Sequence, residues 1–236
     1  MIPETIPFLG LRHPVAAGTH FVAFMFSILG TWLLWRQAHG QPRIQIIAAC
    51  YGFTMMCLYA ASSTYHALQL PWDQLRFFLL LDKCAIYGFI AGTYTPVVLL
   101  LVPAGWRRIL CITIIWLLAV CGIVMKVTAF AGGMPSEPYW IGALLYLGMG
   151  WIGLALIMDM VRAVGFRGLQ WAIYGGLAYT IGVVIDIQHE PVFWPGVFGS
   201  HELFHVFTVV GTLCHFVFIW EFVLPYALRE RVAAEE

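Results

Sequence analysis

The chain has very few charged residues. Of its 236 residues, 12 are Lys or Arg and 12 are Asp or Glu, so charged side chains make up 10% and the formal net charge is zero. A soluble domain carries about 25% charged residues, and this chain therefore lacks the polar surface of a water-exposed globule. Because no basic cluster exceeds two residues, nucleic-acid binding is excluded as well.

The chain also lacks closely spaced cysteines. It has six, none of them in a CxxC motif, and each lies inside an apolar stretch. This distribution argues against a disulfide framework and against a zinc site built from thiolates. We expect the thiols to pack as small apolar groups.

Apolar residues are abundant instead. They make up 61% of the chain, and the mean hydropathy is +0.86. A bilayer-spanning helix needs about 20 apolar residues, and long apolar runs without alternation argue against a membrane barrel. The sequence predicts an all-α integral membrane protein, a bundle of seven transmembrane helices forming a single domain over residues 1–236. The predicted helices are residues 15–35, 44–68, 77–102, 109–130, 139–158, 169–187 and 201–224.

The basic residues are unevenly distributed between the two ends of this bundle. Four residues lie at the end where helix 1 starts: Arg12, Arg76, Lys83 and Lys126. Eight lie in the loops after helices 1, 3 and 5 and in the C-terminal tail: Arg36, Arg43, Arg107, Arg108, Arg162, Arg167, Arg229 and Arg231. The positive-inside rule then predicts a multi-pass protein of the cell (inner or plasma) membrane with a cytoplasmic C-terminus. The first helix has no preceding basic region, so it is predicted to be retained rather than cleaved.

Several polar and small residues are interpreted structurally. Lys126 and Asp159 fall near the ends of predicted helices, where ordinary solvation suffices. Gly148, Gly150 and Gly153 predict close packing of helix 5 against a neighbour.

Five polar residues inside the predicted helices form a more informative set. Ionisable groups in membrane helices are expensive and therefore indicate function. Helix parity places all five at one membrane face, each within about two turns, or roughly 10 Å, of a helix end. With the predicted orientation this is the outer face. The residues are Ser62 and His66 on helix 2, Asp82 on helix 3, and His201 and His205 on helix 7.

The spacing of the histidines predicts a metal site. His201 and His205 are four residues apart, so both imidazoles project from one helix face about 6 Å apart along the axis. With His66 they would supply three ligands and leave a fourth position for water, as in catalytic zinc sites. Asp82 could hydrogen-bond that water or orient a histidine. A hydrogen-bonded network without metal is the alternative.

The segment His201-Glu-Leu-Phe-His205 also matches the HExxH motif of zinc proteases, in which the glutamate is the general base. Such proteases usually take a third ligand from further downstream. Only Glu221 follows within the span, about 24 Å along the same helix from His205. The protease interpretation is therefore disfavoured.

Four motifs together resemble a known family. They are Ala61-Ser-Ser-Thr-Tyr-His66, Leu81-Asp-Lys-Cys-Ala-Ile-Tyr87, Ile90-Ala-Gly-Thr-Tyr-Thr-Pro96, and His201-Glu-Leu-Phe-His205 with the following Gly211-Thr-Leu-Cys-His-Phe216. In this order, over helices 2 to 7, they resemble the bacterial hemolysin III branch of the progestin and adiponectin receptor family. That family belongs to a superfamily that includes alkaline ceramidases. The resemblance implies zinc held by His66, His201 and His205, with Asp82 contacting the bound water and Ser62 beside it.

The resemblance also implies a function. We expect a zinc-dependent hydrolase of a lipid amide or ester, involved in membrane homeostasis, with Asp82 and Ser62 as catalytic residues and a membrane lipid as substrate. The alternative is a non-catalytic lipid or membrane-state sensor or receptor with structural zinc. A pore-forming cytolysin is less favoured, because the polar residues cluster at one face and line no path across the membrane. The sequence identifies no protein partner and is compatible with a homo-oligomer.

The chain departs from the family pattern in several places. Helix 1 has only a short polar motif, which makes His20 a weak candidate ligand. The residues Asp186, His189 and Glu190 either shape the mouth of the site or form a solvated loop, and we favour the loop. His215 lies about 15 Å deeper than His205 and is expected to pack. The eukaryotic receptors have their N-terminus and zinc site on the cytoplasmic side, opposite to the orientation that the charges predict here.

Overall fold

Helices make up nearly all of the described part of the chain. The computed structural model describes residues 6–133 and 139–235, and within these ranges it contains helices but no extended strand. We number the α-helices α1 to α8. They are α1 (Pro14–Gln37), α2 (Pro42–Ala67), α3 (Trp72–Leu101), α4 (Trp106–Ala131), α5 (Tyr139–Trp151), α6 (Ile157–Gln188), α7 (Ser200–Phe218) and α8 (Leu224–Glu235), with a 3₁₀ turn at Ile152–Leu156 and a π turn at Ile219–Val223.

Local sequence signals set several of the helix limits. Pro14 and Pro42 are the first residues of α1 and α2, where the missing N–H of proline costs no helical hydrogen bond. Gly40 adopts φ +83° in the turn between these helices, a conformation that favours glycine. At the start of α7 the Glu202 carboxylate accepts a hydrogen bond from the Gly199 N–H at 2.9 Å, which satisfies a backbone donor at the end of the helix.

The helices are long and apolar enough to cross a membrane. The described residues contain six such stretches: Pro14–Gln37, Pro42–Ala67, Trp72–Leu101, Trp106–Ala131, Trp140–Gln188 and Ser200–Arg231. Large apolar side chains such as Phe26, Leu117 and Leu213 lie on the outer surface and are more than half exposed. Such a surface is suited to lipid rather than to water. The chain is an all-helical, multi-pass membrane protein.

The stretch Trp140–Gln188 is folded back on itself. Gly165 interrupts it with φ +67°, outside the helical region. The indole N–H of Trp151 donates a hydrogen bond to Thr180 Oγ1 at 3.0 Å, although 29 residues of straight helix would separate them by about 44 Å. The sequence predicts a break between helices 5 and 6, in residues 159–168. The break lies in this segment, but it consists of Gly165 alone, and the residues on both sides stay helical.

The C-terminal helix is longer than the sequence predicted. It was expected to end at residue 224, but it continues through the π turn into α8, which ends at Glu235. Pro225 lies in the first turn of α8. A wider π turn directly before it accommodates a residue that cannot donate a helical hydrogen bond.

The apolar core lies at the end of the bundle where α1 ends and α2 begins. The side chains buried there include Leu34, Ile44, Leu101, Val223 and Leu224, which come from α1, α2, α3, the π turn and α8. In the bundle α1 packs against α2 and α7, and α3 contacts α2, α4, α5 and α6. This apolar end fixes the relative positions of the helices whose other ends hold the polar residues.

The two ionisable residues assigned to solvent are both buried, so that expectation was wrong. Asp159 forms an ion pair with Arg107, with 2.6 Å between Oδ2 and Nη2. The counter-charge comes from the start of α4, which the sequence does not place beside α6. Lys126 lies 5.9 Å from the centre of the Tyr146 ring, and both residues line an internal cavity.

The glycines of α5 do not mediate the closest helix contacts. A Cβ atom added at Gly148 or Gly150 would meet nothing within 4 Å, and only at Gly153 would it approach a neighbour, Tyr94 Oη, at 2.8 Å. The expectation of close packing was therefore wrong for Gly148, whereas the backbone carbonyl of Gly150 accepts a hydrogen bond from the Tyr94 hydroxyl of α3. The tight approaches lie elsewhere, for instance at Gly92, where a Cβ would overlap the side chain of Thr54.

Candidate metal centre

Three histidines converge at the end of the bundle opposite the apolar core. His66 lies in the last turn of α2, and His201 and His205 lie in the first turns of α7. The Nε2 atom of His201 is 3.2 Å from Nε2 of His205 and 3.5 Å from Nε2 of His66. The candidate ligand atoms of the three residues all lie within 4.8 Å of one another.

This spacing fits a single metal ion. Zinc binds histidine nitrogen at about 2.0–2.1 Å, and two such nitrogens at a tetrahedral angle are about 3.3 Å apart. The two Nε2 separations that involve His201 bracket that value. The three histidines could therefore hold one ion and leave a fourth position open.

A buried carboxylate orients one of the three histidines. Asp186, in the last turn of α6, lies with Oδ1 3.1 Å from Nδ1 of His201. A carboxylate in this position fixes the ring and directs Nε2 towards the metal position. The interpretation of Asp186 as part of a solvated loop was wrong, because the last turn of α6 packs against α7 and buries its carboxylate beside His201.

His189 and Glu190 follow at the end of α6 and are exposed, and both line the mouth of the internal cavity. They do not belong to the three-histidine group. The sequence had grouped them with Asp186, and only Asp186 touches a member of the cluster.

The segment before α1 closes over His66. The backbone N–H of His13 donates to the carbonyl of His66 at 3.0 Å, and the N–H of Arg12 donates to Ala67 at 3.2 Å. The Nδ1 atoms of His13 and His66 lie 3.4 Å apart. Burial, with smaller effects from the neighbouring Arg12 and His201, lowers the pKa of His13 to about 4, so its ring is neutral at pH 7. Sequence reasoning missed this residue, because it precedes the first helix and carries no helical spacing.

A further histidine lies against the group. The ring of His20, from α1, is buried and its centre is 3.9 Å from that of His205. His20 does not belong to the three-histidine group. The weak sequence candidate is thus a neighbour of the cluster.

Asp82 and Ser62 face the same space. Both line the cavity that the histidines border. The Ser62 hydroxyl lies in hydrogen-bonding reach of the Asp82 carboxylate, which is close enough to His201 for their charges to interact. The structure thus brings all five polar residues of the predicted set to one end of the bundle.

Two residues of α7 have other contacts. The Glu202 carboxylate of the HExxH match accepts the hydrogen bond from Gly199 described above, so it is engaged in capping its own helix. His215 lies deeper, with Nε2 3.2 Å from the carbonyl oxygen of Ala172. This is the packing role expected from its distance along the helix.

The site opens into a large cavity of about 1200 Å³. The cavity lies between α3, α5, α6 and α7, and away from the histidines its walls are mainly apolar. Side chains that line this part include Phe89, Leu147, Ile173 and Val183. Polar groups at one end of an apolar chamber are suited to an amphiphilic ligand.

Comparison with known proteins places this geometry in context. The family model described as haemolysin-III related matches residues 11–216. Hemolysin-3 of Bacillus cereus is 29% identical over 213 residues, which cover 89% of this chain and 90% of that protein. The human monocyte to macrophage differentiation factor is 27% identical over 219 residues, covering 89% and 84% respectively. Heptahelical transmembrane protein 5 of Arabidopsis thaliana is 30% identical over 182 residues, covering 71% of this chain and 47% of that protein.

Proposed function

The chain belongs to the haemolysin-III related family, and from this membership and the histidine cluster we propose that it is a zinc-dependent hydrolase of a lipid amide or ester. Its role would be in membrane homeostasis. The observation that supports this most strongly is the convergence of three Nε2 atoms at the mouth of a largely apolar cavity. A metal-assisted hydrolase needs such an open ligand set beside a space that holds its substrate.

Each residue of the site has a defined part in this proposal. His66, His201 and His205 would hold the metal, and Asp186 would orient His201. A bound zinc ion would polarise the lipid carbonyl and lower the pKa of a water molecule to about 7. The water oxygen attacks the carbonyl carbon while its proton passes to Asp82. The C–N or C–O bond then breaks, and Asp82 returns the proton to the leaving amine or alcohol. The Ser62 hydroxyl donates a hydrogen bond to the developing oxyanion.

The other candidate functions receive less support. A structural ion would need no acid near it, whereas Asp82 lines the same cavity as the three histidines. An HExxH protease needs its glutamate as a base, and Glu202 is occupied with the Gly199 N–H. A pore needs polar residues along the whole span, but the opposite end of the bundle is closed by the apolar core. The sensor with structural zinc remains the rival that an experiment has to distinguish.

We extend the proposal to the membrane topology. Gly165 divides the stretch Trp140–Gln188 into two crossings, which gives seven crossings in all. The eight arginines of the opposite end then place the C-terminus in the cytoplasm and the metal site near the outer face. Single cysteines at Glu190 and Glu230 in a cysteine-free background test this orientation. An impermeant thiol reagent added to intact cells is expected to label the cysteine at position 190 alone, and labelling of position 230 alone would reverse the orientation.

The catalytic proposal is tested by Asp82→Asn. The wild-type protein and the variant are loaded with zinc, and release of free fatty acid from a panel of lipid amides and esters is followed by mass spectrometry. Because Asp82 transfers the proton, the variant should lose at least about 100-fold in turnover while its zinc content stays the same. Asp73→Asn, an exposed acid on the same helix, is the matched control and should retain full activity.

Two results would contradict the proposal. Equal turnover of Asp82→Asn and wild type would show that Asp82 is not the proton acceptor. Absence of fatty-acid release by folded, zinc-loaded wild type across the panel would favour the sensor with structural zinc.

A further inference from the structure

The contact between His13 and His66 has no part in the mechanism proposed above. The Nδ1 atoms of the two rings lie 3.4 Å apart, and the ring centres are 5.2 Å apart with 51° between the ring planes. Two lone pairs or two N–H groups would repel each other at this separation. One Nδ1 atom therefore donates a hydrogen bond and the other accepts it.

The direction of this hydrogen bond decides whether His66 can bind a metal. A neutral imidazole carries its proton on one ring nitrogen and offers the lone pair of the other. The Nε2 atom of His66 is the one that approaches the cluster, 3.5 Å from Nε2 of His201. It can bind a metal only when the proton of His66 lies on Nδ1. His66 is then the donor, and His13 accepts through its own Nδ1.

The segment before α1 fixes the position of His13. Its backbone N–H donates to the carbonyl of His66 at 3.0 Å, and the N–H of Arg12 donates to the carbonyl of Ala67 at 3.2 Å. The Arg12 guanidinium donates from Nη2 to the carbonyl of Tyr65 at 2.7 Å and lies 4.4 Å from the centre of its ring. These carbonyls belong to the last turn of α2, which leaves them without partners inside the helix. The two imidazoles are thus held together by their own backbones.

A second histidine of the cluster has a comparable neighbour. The Asp186 carboxylate lies 3.1 Å from Nδ1 of His201, and metal-binding histidines usually donate their other ring N–H to such an acceptor. The Nδ1 atom of His205 is buried and has no hydrogen-bond partner among the described residues. Two of the three histidines are therefore oriented by neighbouring segments, His201 by α6 and His66 by the segment before α1.

We propose that His13 is a positioning residue of the metal site: its Nδ1 accepts the Nδ1–H of His66 and so keeps Nε2 of His66 free for the metal. This role rests on the proposed function, since it requires that the three histidines bind zinc. His13 is not itself a ligand and takes no part in bond cleavage. It sets the tautomer and the ring orientation of His66.

Zinc affinity tests this role without reference to hydrolysis. Purified full-length wild type, His13→Leu and His13→Asn compete for zinc with a chelator of known affinity. Leucine has no acceptor, so zinc affinity should fall by about 10–100-fold, the usual loss when the partner of a metal-bound histidine is removed. Asparagine is close to leucine in size, and its Oδ1 can take the place of the histidine Nδ1. The affinity of His13→Asn should therefore stay within about threefold of that of wild type.

Two control variants separate this effect from general changes. His39→Leu makes the same substitution at an exposed histidine in the turn between α1 and α2, at the opposite end of the bundle. Leu9→Ala changes an exposed side chain in the segment that carries His13. Neither residue contacts the histidine cluster, so both variants should bind zinc as tightly as wild type.

A spectroscopic measurement on the wild type separates positioning from packing and remains decisive if His13→Leu does not fold. Heteronuclear NMR of protein with isotope-labelled histidine rings shows which ring nitrogen carries the proton. In the zinc-loaded protein we expect the proton of His66 on Nδ1 and that of His13 on Nε2. Comparison with His13→Asn identifies the signals of His13.

Three results would overturn the inference. They are equal zinc affinity of His13→Leu and wild type, an equal loss of affinity in His13→Leu and His13→Asn, and a proton on Nδ1 of His13 in the zinc-loaded protein. The second would reduce His13 to a packing residue at the end of α2. Wild type that binds zinc but releases no fatty acid would count against the proposed function and leave this inference standing.

Discussion

The two ends of the bundle are built from the same helices but differ in chemistry. At one end α1, α2, α3 and the π turn after α7 meet through buried apolar side chains such as Leu34, Leu101 and Ile219. At the other end α2 and α7 meet through His66 and His205, which are equally buried. At the first end the helices are joined by apolar packing. At the second end the ring nitrogens of the histidines are directed towards a common point.

This difference indicates how the protein separates stability from function. Apolar packing at one end holds the helices at fixed distances without polar partners. The polar end can then keep imidazoles buried and converging, an arrangement that would be costly if it also had to hold the bundle together. The substitutions below test this division.

The largest effect is expected from placing the same charge at both ends. Leu34 and His66 are 0% and 2% exposed. Leu34→Asp should abolish folding, because burying an unpaired carboxylate among apolar side chains costs about 5 kcal/mol. His66→Asp should fold, because polar groups already surround it. The folded fraction of each variant is measured as the monodisperse fraction in size-exclusion chromatography. An equal loss of folded protein in the two variants would mean that the two ends do not differ.

A smaller effect separates the packed helices from the cavity side. Gly92→Ala should destabilise the protein by about 1–3 kcal/mol, because the new methyl group overlaps the Thr54 side chain. Gly148→Ala meets open space and should be neutral or slightly stabilising, since alanine favours helix. Thermal unfolding of the two variants in one detergent compares them. A lower melting temperature for Gly148→Ala than for Gly92→Ala would contradict the assignment of close packing to Gly92 and of open space to Gly148.

Buried aspartates provide the finest comparison. Asp186→Asn keeps the shape of the side chain but weakens its hold on His201, so zinc affinity should fall by about 10–100-fold. Asp159→Asn, at the opposite end, breaks the ion pair with Arg107 and should leave zinc affinity unchanged. Competition with a chelator of known affinity yields both values. An unchanged affinity in Asp186→Asn would remove its orienting role.

Much of this organisation was predictable from the sequence. Apolar run lengths gave the multi-pass helical class, and helix parity brought His66, His201 and His205 to one end before any coordinates were considered. Both inferences depend on quantities that a sequence contains, namely segment length and residue spacing. The limits of α2 and α4 accordingly lie within a few residues of those predicted.

The remaining features depend on contacts between distant segments. His13 and Asp186 reach the cluster because the N-terminal segment crosses the end of α2 and because the last turn of α6 packs against the first turn of α7. Asp159 was assigned to solvent because its partner Arg107 is 52 residues away. Gly165 looked like part of a loop, since the sequence does not show that one residue reverses the chain.

Metal content is the most direct test of the central claim that three histidines form a metal site. Elemental analysis of the purified protein is expected to find about one zinc per chain in wild type, as expected for a His₃ site, and none in His205→Ala. His215→Ala, which changes a buried histidine on the same helix, should retain the zinc. Folded wild type that binds no metal even after zinc is added, or a His205→Ala variant that retains it, would contradict the account and leave the histidines as a polar network.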